Sequence, residues 1–396
     1  MIGIRSLIGS LLSGIIPKKQ NLILFTAWFG KRYGDSSMYL FEYLLKHSKY
    51  ELYWYVQDKE LYISLKSQGI PVIYSQSLKG YWYQIRANVL VTSVQFDDYN
   101  PYLINKCIIL DLGHGFPGKP GGLMTPGISQ NSRDRILRLQ KNTKFYEVAS
   151  SVYCANCSHD YFGTDYDRII FANKPRIDVL YSNELQSGKN TLVDKIKGNR
   201  RAIVYMPTHR ACGQVEIDIN SILDLPKIQE LCENNNSVFI IKKHYYHRHE
   251  KDDSKSYSNI FDISNEIIDS QVLLAQADVL ITDFSSCFVD YLALNRPVIF
   301  YAFDYEEYLK KERDYYWKYD KITAGYTTMD SKDLTAALEN IFRDWEDKTH
   351  LLGRESMRSI YFDPDVELGN SREKLATIIE KLINGTYVPF NWNLKR

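Results

Sequence analysis

The stretch VLITDFSSCFVDYLALNRPVIFY, residues 279–301, decides the fold. Residues 279–282 are apolar or β-branched without alternation, the pattern of a strand buried on both faces. Asp283-Phe284-Ser285-Ser286 follows as a tight polar turn, and residues 287–294 read as a helix. Arg296-Pro297 then leads into a second apolar strand at 298–301. This is a β-turn-α-β unit, which demands a parallel sheet. Two hydroxyls and a carboxylate lie where the helix begins. Unpaired N–H groups and partial positive charge make such a place a ready phosphate site, and serine hydroxyls there either cap the helix or contact the ligand. Taken alone, the segment reads first as an ordinary capping turn, since caps outnumber ligand sites.

The same alternation runs through the rest of the chain. Residues 21–27, 50–56, 72–74, 87–92 and 106–112 are strand-like, and 36–47 read as a helix capped by Asp35 or Ser36. A polar stretch at 185–200, containing SGKN and KGNR, reads partly as linker. Alternation restarts at 201–205 and continues at 237–242, and 371–382 read as a closing helix. A length of 396 residues fits two domains. Two doubly wound α/β domains with a cleft between them are therefore expected, with ligands beyond the C-terminal ends of the strands.

Composition excludes several classes. A net charge of +1 leaves no electrostatic footprint for nucleic acid. The 31 tyrosines suit a sugar-facing surface, a membrane interface or ordinary cores. Six cysteines include one close pair, Cys154 and Cys157, with His159 nearby but no second pair. Buried or free thiols in a reducing compartment are expected rather than a zinc site. No metal-ligating residues are expected.

The N-terminus differs from the rest. Ile4, Leu7, Ile8, Leu11, Leu12 and Ile15 recur at helical spacing, with Arg5, Lys18 and Lys19 the only charges. The run is too short to span a bilayer and lacks the small-residue cleavage site of a signal peptide. An in-plane interfacial helix fits, with cations near anionic headgroups. A helix docked on the chain's own core is the alternative.

Polar clusters fall at the predicted strand ends. Residues 113–118 contain the spacing G-x-G-x-x-G, but Lys119-Pro120-Gly121-Gly122 blocks the helix a dinucleotide fingerprint needs. What remains is a glycine-rich loop carrying His114, suited to proton abstraction near neutral pH, and Lys119, suited to a phosphate. The strand at 201–205 ends in MPTHR, with Thr208 and Arg210. The strand at 237–242 runs into Lys243, His244, His247, Arg248 and His249; His247 and His249 also read as surface residues. KPRID at 174–178 closes the first half similarly. Clusters rich in His, Arg, Lys and Ser point to an anionic, phosphate-bearing ligand. P-loop, H-E-x-x-H and G-x-S-x-G signatures are absent from the sequence.

In this order the clusters resemble the CDP-glycerol glycerophosphotransferase family, the teichoic-acid primases and polymerases. The matching segments are HGFPGK (114–119), KPRIDVL (174–180), YMPTHR (205–210), KKHYY (242–246) and ITDFSSCFVDYLALNRPVIFY (281–301). Upstream, Trp28-Phe29-Gly30-Lys31 and Asp35-Ser36-Ser37 resemble the family's first strand-end loop. The resemblance implies a GT-B fold, two Rossmann-like domains facing a central cleft, behind an N-terminal amphipathic membrane-binding helix. The boundaries it suggests are 1–19 for the interfacial helix, 20–184 for an acceptor domain and 185–200 for a linker. A CDP-donor domain would occupy 201–370, and 371–396 a C-terminal helix that crosses back.

The resemblance further implies transfer of an alditol phosphate from a CDP-alditol to a hydroxyl of a polyprenyl-diphosphate-linked saccharide, with release of CMP. The enzyme would be peripheral, on the cytoplasmic face of the membrane, and would need no cofactor beyond its CDP-glycerol donor substrate. His114 is the implied base. His244, Ser285 and Ser286 are candidates for holding the leaving phosphate, with Arg210 assisting. Asp283 would orient His244 or bind a donor hydroxyl, and Thr208 and Lys119 would line the donor site. Two positions depart from the family pattern: Phe116 replaces a threonine, and His209 an aromatic. A ribitol-phosphate transferase, a capsule polymerase and a nucleotide-sugar glycosyltransferase stay open as alternatives. So do single addition versus polymerisation, the metal requirement and homo-oligomerisation. A membrane-docked scaffold without activity is opposed by His114, His244 and both serines.

Overall fold

The computed structural model describes residues 4–187, 191–210, 214–215, 217–244, 256–311 and 318–395. Strands within them form two sheets. The first contains β1 (Lys19–Phe25), β2 (Glu51–Val56), β3 (Val72–Tyr74), β4 (Ala87–Thr92), β5 (Ile108–Asp111), β6 (Lys144–Ala149) and β7 (Ile169–Phe171). Its order is β3-β2-β1-β4-β5-β6-β7, and every neighbouring pair is parallel. The second contains β8 (Arg201–Met206), β9 (Ser237–Ile241), β10 (Ile260–Asp262), β11 (Val279–Thr282), β12 (Val298–Tyr301) and β13 (Tyr326–Thr328). Its order is β10-β9-β8-β11-β12-β13, again all parallel.

The chain divides into two compact units. Unit 1 comprises Met1–His114, Gly121–Asp178 and Phe362–Arg396, and unit 2 comprises Gly115–Pro120 and Val179–Tyr361. In each sheet the chain first winds outward one way and then restarts on the other side of the first strand. That places a switch point between β1 and β4 in unit 1, and between β8 and β11 in unit 2. Ligands of such sheets bind where the loops of these two strands part.

The central strands β5, β9, β11 and β12 are buried along their whole length, so apart from the terminal Asp111, Ser237 and Thr282 they read as apolar runs. The core of unit 1 joins Leu22, Leu24, Tyr55, Ile109 and Phe145. That of unit 2 joins Ile203, Phe239, Ile281, Ile299 and Leu338. The structure adds four strands to those read from sequence: β6, β7, β10 and β13.

Three local readings change. The helix Asp35–His47 begins at Gly34 with no side-chain cap; Asp35 instead takes a left-handed backbone (φ 62°) and pairs with Arg176. The stretch read partly as linker carries two short helices, Asn183–Gln186 and Thr191–Lys197, and buries Val193 and Ile196 in unit 2. Asp178 is a cap: its buried carboxylate accepts the Ser371 and Arg372 N–H groups at 3.0 Å, closing the N-terminus of helix Ser371–Asn384. That helix packs in unit 1 against Asp35–His47. Cys154 and Cys157 are buried thiols on helix Val152–Phe162, and burial raises the pKa of both.

Candidate active site

In unit 1, β5 delivers Gly113 in a left-handed turn (φ 63°) and then His114, which is exposed. Imidazole Nδ1 lies 2.9 Å from the Ser93 carbonyl oxygen. A carbonyl only accepts, so Nδ1 carries a proton, and in the neutral ring the lone pair is then on Nε2. The Trp28 ring lies 4.9 Å from the imidazole at 58°. The backbone on either side of this loop is clamped. Arg176 donates to the His114 carbonyl at 2.9 Å, and Lys174 Nζ to the Leu112 carbonyl at 2.7 Å. The KPRID cluster thus positions His114's main chain rather than presenting free cations. Below it, burial lowers the pKa of Lys174, and burial followed by the Asp111 charge raises that of Glu147.

In unit 2, the loops after β8 and β11 are tied by Asp283, which is 1% exposed. Oδ1 accepts the Thr208 N–H at 2.8 Å, the Thr208 hydroxyl at 2.6 Å and the Phe284 N–H at 2.6 Å. Oδ2 accepts Arg210 Nη2 at 2.9 Å. Arg210 also grips Asp304 through Nε at 2.6 Å and Nη2 at 2.8 Å, and donates Nη1 to the Thr208 carbonyl at 2.6 Å. Burial opposes its charge, but the two carboxylates outweigh burial and raise its pKa. Asp283 is thus bonded to Thr208, Phe284 and Arg210, and Arg210 is a buried tie between Asp283, Asp304 and the Thr208 carbonyl.

Of the two turn serines, Ser285 accepts the Cys287 N–H at 3.3 Å, while Ser286, at the N-cap position, makes no capping bond. Both are partly exposed. A Cβ on Gly115 would lie 3.0 Å from Ser286 Oγ, so a larger residue would make the serine hydroxyl give by a few tenths of an ångström. Lys119, expected at a phosphate, donates to the Tyr308 hydroxyl at 2.7 Å and lies 4.9 Å from that ring's centre. Tyr308 stacks on Phe284 at 3.7 Å. Phe116 is buried and meets Tyr361 edge-on, so the departure from threonine exchanges a hydroxyl for an apolar anchor. His244 lies beside His209, with ring centres 4.8 Å apart. His247 and His249 lie outside the described residues.

Seven of the eight predicted site residues therefore belong to unit 2, with Thr208, Arg210 and Asp283 in direct contact, and His114 belongs to unit 1. Sequence reasoning missed Asp304, Tyr308, Ser93 and Asp98. The one available signal was the polar FDYEEY run that follows β12.

Two parallel-sheet α/β units with polar groups gathered at their switch points define a protein that works on ligands beyond its strand ends. The sequence pattern of the CDP-glycerol:poly(glycerophosphate) glycerophosphotransferases matches residues 10–381. The chain belongs to this family, and is an enzyme of its class. It is 28% identical to a teichoic acid glycerol-phosphate transferase of Staphylococcus aureus, over 82% of this chain and 85% of the relative. It is 26% identical to a teichoic acid poly(glycerol phosphate) polymerase of Bacillus spizizenii, over 79% and 81%. The solved structure of the wall teichoic acid polymerase TagF superposes with a TM-score of 0.78 at 22% identity, covering 96% of this chain and 93% of that one. This last likeness supports the fold.

Proposed function

We propose that the protein transfers glycerol phosphate from CDP-glycerol to a hydroxyl of a polyprenyl-diphosphate-linked saccharide or growing polymer in teichoic acid synthesis, releasing CMP. The observation that carries the reading is the Ser93–His114 bond, which directs the neutral ring's lone pair to Nε2 on an exposed side chain at a strand end. The acceptor oxygen attacks the glycerol-bearing phosphorus as its proton passes to His114 Nε2. The bond from that phosphorus to the bridging oxygen breaks, and CMP leaves with the negative charge. In this reading His244, Ser285 and Ser286 meet the departing phosphate, and Thr208, Arg210 and Asp283 hold the loops that carry them. We read the two units as the halves of a GT-B fold, with the donor held by unit 2.

We place the enzyme peripherally on the cytoplasmic face of the membrane. Among the described residues no helix is long and apolar enough to cross a bilayer. Helix Ile4–Ile15 is turned inside out for a water-facing element. Its Ser13 is fully buried and accepts the Asn105 N–H, and Ser10 takes the Asn105 side chain, whereas Leu11 and Ile15 are 62% and 69% exposed. An apolar surface outside the chain would remove that cost.

The test is CMP release by purified protein given CDP-glycerol and a lipid-linked disaccharide-diphosphate acceptor. Acceptor-dependent release that falls about 10²–10⁴-fold in His114→Ala supports the reading, and product mass counts the units added. Release from CDP-ribitol alone would move the assignment to that donor. Silence with both CDP-alditols, together with transfer from a nucleotide sugar, would refute it.

A further inference from the structure

Asp98 belongs to none of the sequence clusters that carry the family resemblance, yet it is bonded to both loops that face His114. It ends the short turn Gln95–Asp98 after β4 and is fully buried. Oδ2 accepts the Ser93 N–H at 2.6 Å, the Val94 N–H at 2.8 Å and the Ser93 hydroxyl at 3.3 Å. Oδ1 crosses to the loop after β1 and accepts the Phe29 N–H at 2.6 Å. Ser93 Oγ accepts the Trp28 N–H at 2.9 Å, so the two loops are joined twice.

The joined parts touch the imidazole. The Ser93 carbonyl receives Nδ1–H, and the Trp28 ring packs beside it. Trp28 and Phe29 both hold left-handed backbones, φ 52° and 60°, which aromatic residues rarely adopt. In water a neutral histidine carries its proton mainly on Nε2, so the Nδ1–H form must be imposed by its partner. Ser93 can impose it only while its peptide is held in place, and Asp98 Oδ2 holds the N–H on either side of that carbonyl, Ser93 at 2.6 Å and Val94 at 2.8 Å.

We propose that Asp98 is a positioning residue that acts through Ser93 and Trp28 to fix His114 in the tautomer whose Nε2 accepts the acceptor's proton. The proposal rests on reading His114 as the base. Asparagine cannot replace Asp98: with one oxygen satisfied, its amide nitrogen would point at another N–H donor.

The experiment uses full-length protein labelled at its histidine nitrogens. Long-range proton–nitrogen spectra near about pH 8, where imidazole is neutral, assign the His114 tautomer against a His114→Gln control. The same preparations are assayed for CMP release from CDP-glycerol. We expect Nδ1–H in the parent and Nε2–H gaining in Asp98→Asn. We also expect kcat to fall about 10–100-fold, the range for partners that orient a working histidine, with donor KM nearly unchanged. An unchanged tautomer and kcat in a folded Asp98→Asn would overturn the proposal at Asp98. A shifted tautomer with kcat retained would overturn it by removing the base reading beneath it. If Asp98→Asn does not fold, Ser93→Ala carries the test, because it cuts the Trp28 link. A fall in kcat of about threefold or more supports the proposal, and full activity overturns it.

Discussion

Replacing Asp283 by asparagine separates a structural tie from a ligand-binding carboxylate. In the parent, Oδ1 serves three donors on Thr208 and Phe284, and Oδ2 serves Arg210. Asparagine keeps the volume, and its single oxygen keeps the three Oδ1 bonds. Its amide then faces Arg210 Nη2 at the site of a 2.9 Å bond, donor against donor. Removing one partner of a buried ion pair costs about 3–5 kcal/mol. Arg210 retains both bonds to Asp304, so the lower end applies, about 3 kcal/mol. For a unit of this size about 2–4 °C is lost per kcal/mol, so the transition of unit 2 should fall by about 6–12 °C. Calorimetry resolves this, and titration with CDP-glycerol reads donor affinity on the same samples below the transition. The structure predicts a large thermal loss with donor affinity changed less than about threefold. A variant that melts like the parent but loses donor binding would refute the reasoning and return Asp283 to the ligand.

Four further outcomes follow. Ser285→Ala should cost about 0.5–1.5 kcal/mol of stability by removing the bond its hydroxyl accepts from the Cys287 N–H. Ser286→Ala should leave the melting temperature unchanged but lower kcat/KM at least about tenfold; equal activity would free Ser286 from the donor's phosphate. Burial, opposed by three backbone N–H donors and reinforced by the Asp111 charge, raises the Asp98 carboxyl from 3.8 to about 6. A carboxyl raised on folding contributes stability that is full below about pH 4 and lost as pH rises through about 6, roughly 3 kcal/mol for two units. Denaturant midpoints should therefore show Asp98→Asn more destabilised at pH 4 than at pH 7, and parallel pH profiles for the two proteins would contradict this. Leu11→Glu and Ile15→Glu alter side chains that are 62% and 69% exposed, so folding should be unaffected. Each should weaken sedimentation with anionic vesicles about tenfold or more, the value of burying one such side chain; undiminished binding would remove this helix from the membrane reading.

How much was legible depended on whether a residue's surroundings are local. The strands β5, β9, β11 and β12 announce themselves because both faces are buried. β7, β10 and β13 are three-residue strands with too few residues for a period to decide, although the equally short β3 was read. β6 was hidden by Lys144 and Glu147 in KFYEVA. Glu147 tolerates the interior because Thr164 donates to it and burial holds its carboxyl toward the neutral form. The site residues were readable by chemistry but not by direction. Arg210 reads as a cation for phosphate until Asp304, 94 positions away, is folded against it. Asp97 and Asp98 are indistinguishable in the sequence QFDDY. Only the fold turns Asp97 outward to Arg135 and Asp98 inward to four donor groups.

Asp98 and Asp283 answer the same physical problem in two sheets. At a switch point the loops after two neighbouring parallel strands diverge, and their first N–H groups lose the ladder partners they would have had further along. Leaving such donors buried and unpaired costs about 1–3 kcal/mol each. A carboxylate after the second strand can take donors from both loops at once, because its two oxygens together accept about four bonds. Asp98 follows β4 and takes the Phe29 N–H from the β1 loop; Asp283 follows β11 and takes the Thr208 N–H from the β8 loop. The equivalent strand of each unit supplies the aspartate, and in each the residues beside the tie are the ones with chemistry to do. His114 hangs from Ser93, which Asp98 holds, and Ser285 and Ser286 follow Asp283 by two and three positions. The charge is buried so that the reactive groups need not be: satisfying the loop backbones from beneath leaves their outer faces for the ligand.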